Sequence, residues 1–132
     1  MILAELPHRG NDPWGSGEWR ARRGAREHKG IDYWCPPGAV IRSPASGRVT
    51  KIGFCYPDDD KWRYVEVTDS MGYRHRVFYI KPVVELGRHV TARMSHIGTA
   101  MNIADKYSST MKPHVHYEVL LLDGTDINPE SL

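Results

Sequence analysis

Polar and apolar residues alternate along several short stretches of this chain, and the alternation predicts strands. Arg48-Val49-Thr50-Lys51-Ile52-Gly53 reads as a half-buried strand. Trp62 to Thr68 and Tyr73 to Ile80 read as two more, joined through Asp69-Ser70-Met71-Gly72, a hairpin connection with glycine in the loop. Val40-Ile41-Arg42, Val90 to Ile97 and His114 to Leu122 supply further strands. Between them, Pro36-Pro37-Gly38 and Ser43-Pro44-Ala45-Ser46-Gly47 are turns. Tyr56 to Lys61 is expected to be a solvated hairpin tip, and Asn102 to Lys106 a short helical turn. Arg9 to Gly17 reads as a loop, within an N-terminal loop segment of residues 1–14. Helical periodicity is absent. The pattern predicts a mainly β, compact antiparallel sheet in one domain of 132 residues, with two packed layers.

Composition agrees with this picture. Hydrophobic residues make up 40% of the chain, enough for a core, and 12 Gly and 9 Pro punctuate it throughout. The net charge of +2 gives no argument for a nucleic-acid partner. No run of ~20 apolar residues is present to insert in a membrane. The N-terminus lacks the basic and apolar regions of a secretory signal. Arg20, Arg22, Arg23 and Arg26 crowd one segment, which is either a solvated loop or an anion site. Trp14 and Trp19 flank a glycine-rich stretch, where they line a groove or cover the core edge. Cys35 and Cys55 permit one disulfide or two thiols, and are read as small packing residues. The aspartates at 58–60 lack the spacing and following glutamate of a calcium loop. His8, His89 and His96 have no partner at ligand spacing.

The candidate chemistry lies in two short stretches. In Pro113-His114-Val115-His116-Tyr117-Glu118, two histidines at i and i+2 of a strand share one face. Alone, that pair is either a metal or acid–base site or two satisfied strand histidines. His28-Lys29-Gly30-Ile31-Asp32 adds an imidazole and a carboxylate four residues apart. One histidine and one aspartate here, with one histidine of the later pair, make three ligands of the N/O type that zinc accepts. Three ligands leave a fourth position open, the catalytic rather than the structural arrangement. The remaining histidine is then free to move protons.

These motifs, in this order and with Ser43-Pro44-Ala45-Ser46-Gly47-Arg48-Val49 between them, resemble the LytM/lysostaphin-type zinc endopeptidases. Those enzymes cut peptide cross-links of bacterial peptidoglycan. The resemblance runs from about Gly15 to Pro129. Within the group it points to the branch containing leukocyte cell-derived chemotaxin, through Gly15-Ser16-Gly17 and Val77-Phe78-Tyr79-Ile80-Lys81-Pro82. That branch keeps the zinc site but is not known for peptidase activity. The resemblance implies the duplicated hybrid motif fold, with long loops around a groove.

It also implies one zinc ion on His28, Asp32 and His116, with His114 as the catalytic histidine. The family's second catalytic histidine is missing. An ungapped count from Gly72-Tyr73 places Tyr79 there, and a tyrosine hydroxyl can donate the same hydrogen bond to an oxyanion. His75, four residues earlier, is expected on the same strand face as Tyr79 but ~13 Å away. Glu118 is expected to orient a ligand from behind. Asn11, Trp19 and Arg26 are expected to contact substrate. The implied partners are peptidoglycan peptides, with other virion tail proteins if the source is a phage. The implied place of action is the cell wall, reached through a virion, since no leader is visible. A catalytically weak binding or structural module that retains zinc is the alternative.

Overall fold

The computed structural model describes residues 2–23 and 26–132. Its strands, in chain order, are β1 (Asn11–Asp12), β2 (Gly15–Ser16), β3 (Arg22–Arg23), β4 (Arg26–Glu27), β5 (Ile31–Trp34), β6 (Val40–Arg42) and β7 (Gly47–Tyr56). They continue with β8 (Asp59–Asp69), β9 (Arg74–Phe78), β10 (Ile80–Pro82), β11 (His89–Val90), β12 (His96–Ala100), β13 (His114–Leu120) and β14 (Asp126–Ile127). Three 3-10 turns are the remaining regular structure among the described residues. No helix there is long and apolar enough to cross a membrane.

Two antiparallel sheets carry the fold. The larger has seven strands, in the order β11-β7-β8-β9-β13. The far edge of β13 is shared, with β5 on its first half and β14 on its second. The smaller sheet has the order β10-β12-β6. Val49, Val65, Val67, Val77, Val115 and Val119 of the large sheet pack with Ile41, Ile80 and Ile97 of the small one in a single core. Leu3 and Leu6 join that core at 3% and 7% exposure, so the N-terminal segment is packed into it.

All seven residues of β13 are buried, because both of its faces are covered. Val115, Tyr117 and Val119 enter the core. His114, His116 and Glu118 therefore share the opposite face. Burying them in the sheet's middle requires partners for every polar atom. A second, smaller apolar cluster of Trp62, Ile103, Ala104 and Met111, with Tyr79 packed against it, flanks them.

Several boundaries differ from the expected ones. Tyr73 to Ile80 is not one strand, because Tyr79 has φ 71° and ends β9. The chain then starts β10 in the other sheet. Val90 to Ile97 is broken by a turn at 91–95. There Arg93 has φ 66°, and the Thr91 amide donates to Ser95 Oγ at 2.8 Å. The hairpin tip shrinks to Pro57-Asp58, and Asp59 accepts from Trp62 Nε1 at 3.0 Å and Lys106 Nζ at 3.2 Å. Arg9 to Gly17 contains the small β1–β2 hairpin. Ile103–Asp105 forms the expected turn, with the Asn102 side chain accepting from the Ala104 amide. Cys35 and Cys55 are free thiols, the first buried and the second half-buried.

Gly30 shows why the chain between His28 and Asp32 must be bare. A Cβ there would lie 2.2 Å from the Tyr117 carbonyl oxygen and 2.9 Å from His116 Cε1. The turn before β5 thus rests directly on the backbone of β13. Gly30→Ala should destabilise the protein by about 2–3 kcal/mol, as overpacking against backbone does. Urea unfolding checks this, and a loss well under 1 kcal/mol would show that the turn can lift off β13 freely.

Candidate metal centre

The register of β5 against β13 sets Asp32 directly opposite His116. His28 comes from the chain just before β5. Its backbone is pinned there by its amide to the Ala21 carbonyl at 2.7 Å and its carbonyl to the Arg20 amide at 2.9 Å. Three side-chain atoms converge as a result. His28 Nε2 lies 3.0 Å from His116 Nδ1 and 3.2 Å from Asp32 Oδ1. His116 Nδ1 lies 3.0 Å from the same oxygen.

The outward side of each ring decides what those inner atoms are. His28 Nδ1 is 2.9 Å from the Glu18 carbonyl, and His116 Nε2 is 2.9 Å from Glu118 Oε1. Carbonyl and carboxylate oxygens only accept, so these outer nitrogens carry the hydrogens. The inner nitrogens of the neutral rings then present lone pairs. Two lone pairs and a carboxylate oxygen facing one another at 3.0–3.2 Å repel unless a cation lies among them. In the ion-free protein a proton fills that role. Burial disfavours a charged His116, but the hydrogen bonds it donates to the Asp32 and Glu118 carboxylates outweigh it and raise its pKa to about 9. Burial likewise opposes ionisation of Asp32, and the hydrogen bond it accepts from the protonated His116 overcomes this to hold it well below the carboxylate range.

The donor set fits zinc. Bonds of about 2.0–2.1 Å in a tetrahedron separate ligand atoms by roughly 3.3 Å, close to the spacing found. His28, Asp32 and His116 are the group able to hold such an ion, with one position left open. Behind them runs a polar ladder that starts from the buried Glu118 and Glu66 and ends at the exposed Thr50. Arg76 Nη1 is 3.8 Å from Glu118 Oε2, Arg76 Nε donates to Glu66 Oε2 at 2.7 Å, and Thr50 Oγ1 donates to Glu66 Oε1 at 2.8 Å. Glu118 is thereby fixed where it holds His116 in one tautomer.

His114 sits beside the cluster without joining it. Its Nδ1 donates to the Lys112 carbonyl at 2.8 Å, leaving Nε2 with a lone pair, 3.5 Å from Asp32 Oδ2. Burial lowers its pKa, with Asp32 opposing, so at neutral pH the ring is a free base.

Tyr79 reaches the site through its backbone. Strict alternation would send it into the core with Val77 and His75. The left-handed φ of 71° turns it to the other face, where its ring stands edge-on to His114 at 5.6 Å. Phe78, its neighbour, stands edge-on to His116 at 5.0 Å. Burial pushes the Tyr79 phenol up, so it stays protonated. His75 does not share this face, contrary to the strand count. It lies on the core side, with Nδ1 2.7 Å from the Tyr117 hydroxyl and Nε2 2.8 Å from Asp69 Oδ2.

The cluster floors an open cleft of about 270 Å³. The three residues expected to contact substrate are not among its lining. Asn11 is exposed on β1 and Arg26 is exposed on β4. Trp19 packs on the core, donates from Nε1 to Asp126 Oδ2 at 3.0 Å, and carries the Arg20 guanidinium 4.4 Å above its ring. Arg9, Arg23, Trp14, Tyr107, Ile103 and Met111 line the cleft instead. Only nearness to Pro113 in the chain hinted at Tyr107 and Met111. Nothing local singled out Arg9 or distinguished Arg23 within its basic run.

The profile of Peptidase family M23 matches residues 26–129. Leukocyte cell-derived chemotaxin-2 of Mus musculus is 27% identical over 107 residues, 81% of this chain and 69% of its own. Two solved structures share the curled antiparallel fold. The catalytic domain of the antimicrobial peptidase lysostaphin from Staphylococcus simulans aligns with a TM-score of 0.66 at 18% identity, over 98% of this chain and 92% of its own. A point mutant of the catalytic domain of prophage-encoded M23 protein EnpA from Enterococcus faecalis gives 0.64 at 23% identity, over 96% of each chain. With the matched profile spanning both halves of the His/Asp cluster, the chain belongs to peptidase family M23.

Proposed function

We propose that this protein is a zinc-dependent endopeptidase that hydrolyses stem or bridge peptides of bacterial peptidoglycan. One observation carries the reading. Three inward-facing ligand atoms at 3.0–3.2 Å, with a free-base imidazole beside them, lie on the floor of an open cleft. The likeness to the catalytic domain of the peptidase lysostaphin supports peptide-bond hydrolysis. The likeness to prophage-encoded EnpA supports a phage origin, and delivery in a virion beside tail proteins belongs to the same proposal.

His28, Asp32 and His116 would hold the one ion, which supplies Lewis acidity to a water and to the scissile carbonyl. The rest falls to the chain's own groups. His114 Nε2 takes the proton of the attacking water and returns it to the leaving amine. Asp32 Oδ2, 3.5 Å away, stabilises the imidazolium in between. The Tyr79 hydroxyl, kept protonated by burial, donates to the oxyanion in place of the family's second histidine. Glu118 keeps His116 turned to the ion.

Tyr79 and the chemotaxin likeness also favour a second reading, a zinc-holding module that binds wall or receptor without cutting. Digestion of purified sacculi, with released peptides read by mass spectrometry, separates the two. The zinc-loaded protein should free new amines at cross-links. His114→Ala should cut about 10²–10⁴-fold more slowly while keeping its zinc. His116→Ala should lose the metal. Intact sacculi with zinc still bound would establish the module. Tyr79→Phe should lower kcat by roughly 100–1,000-fold with little change in KM, and an unaffected rate would remove Tyr79 from the chemistry. Zinc must displace the proton that His116 holds up to about pH 9. Affinity should therefore fall about tenfold for each pH unit below that value, and competition titrations between pH 6 and 8 would read a flat profile if no proton leaves.

A further inference from the structure

Apart from the histidines of the cluster and His114, the ionisable side chains Arg9, Arg23 and Asp32 line the cleft. Asp32 is committed to the cluster. Arg9 is committed to the frame: it is 4% exposed, and its Nη2 donates to the Gly15 carbonyl at 2.7 Å. Its Nη1 lies 3.4 Å from Asp12 Oδ2 and its Nε 3.6 Å from Asp32 Oδ2.

Arg23 is held differently. Its side chain is 27% exposed. Nη2 donates to the Ser16 carbonyl at 2.5 Å and Nη1 to the Arg22 carbonyl at 3.3 Å. Carbonyl contacts fix the direction of a guanidinium without neutralising it. Asp32 Oδ2 forms an ion pair with it at 3.9 Å, too long for a hydrogen bond, and the same carboxylate is shared with Arg9, His28, His114 and His116. His114 Nε2 approaches that same oxygen at 3.5 Å, so Arg23 and the proton-transfer group border one carboxylate and line one cleft. Trp14 and Tyr107, which line the same cleft, pack at 5.1 Å and are 45% and 40% exposed, an aromatic surface for the body of a substrate.

We propose that Arg23 is a specificity-determining residue that reads a free carboxylate on the substrate residue adjoining the scissile amide. The protein then favours cross-links between carboxylate-bearing residues over uncharged bridges such as oligoglycine. The inference rests on the peptidase reading. An oriented guanidinium binds a carboxylate through a charge-assisted, often bidentate pair, which a carboxamide cannot reproduce.

Two synthetic cross-link peptides test it, identical except that this carboxylate is free in one and a carboxamide in the other. Zinc-loaded wild type should prefer the acid by about 10–100-fold in kcat/KM, mainly through KM. In Arg23→Gln the ratio should collapse to within about threefold, and Arg23→Lys, which keeps the charge and loses the fork, should fall between. Equal rates for the two peptides in wild type would overturn the proposal. So would a variant that slows both alike, which would assign Arg23 to the frame or the transition state. Calorimetric titration of both peptides into zinc-loaded His114→Ala gives an answer independent of turnover. If neither peptide is cut, the peptidase reading falls. Tighter binding of the acid would still support the role of Arg23, and equal binding would overturn it. Zinc content and circular dichroism confirm that the variants fold. Should Arg23→Gln misfold, the wild-type ratio and Arg23→Lys decide.

Discussion

The antiparallel register between β5 and β13 is the constraint on which the rest depends. It puts Asp32 across from His116, and Gly30 lets the chain cross β13 closely enough for His28 to reach the same point. A slip of one residue would carry every side chain of β13 to the other face. The histidines would enter the valine core, and Tyr117 would replace them in the cleft. The hydrophobic requirement of one face therefore enforces the chemistry of the other.

That second face is polar yet buried, an arrangement tolerable only when every group is paired. Glu118, Arg76 and Glu66 form a ladder across three adjacent strands, with Thr50 closing it. Each member is held by the next, and the chain of contacts ends on His116. The tautomer of one imidazole is thus set by strands far from it in sequence. On the reverse face, Asp69, His75 and Tyr117 make a shorter chain of the same kind, tying the β8–β9 hairpin to β13.

Where function follows strand periodicity, it was legible beforehand. The His114/His116 pair needs only the period of two, and the His28/Asp32 pair needs only a turn with glycine. The β hairpin at 69–72 followed from its alternation and its glycine. Tyr79 was placed at the site by family count alone, since its left-handed φ breaks the periodicity that such reading relies on. The same break parts it from His75, which keeps the core face with Val77. Trp19 and Arg26 were singled out for residue type in a basic, aromatic segment. Their actual neighbours come from contacts far along the chain, such as Trp19 with Asp126. Which arginine of a run faces a cleft is decided by those contacts and not by the run. The turn at 91–95 was hidden because Val90 and Ile97 bracket it with residues that suit a strand.

The full burial of β13 has a thermodynamic consequence. Any cation held by His28, Asp32 and His116 bridges β13 and the segment leading into β5, the two pieces whose docking seals one edge of the core. Letting go of the ion and undocking that segment are then linked equilibria, each shifting the other by the same free energy. Free-metal concentration acts as a stabilising variable alongside temperature, and a chelator acts as a mild denaturant directed at one seam. Hydrogen exchange at the amides of β5 would report metal occupancy without any view of the metal itself.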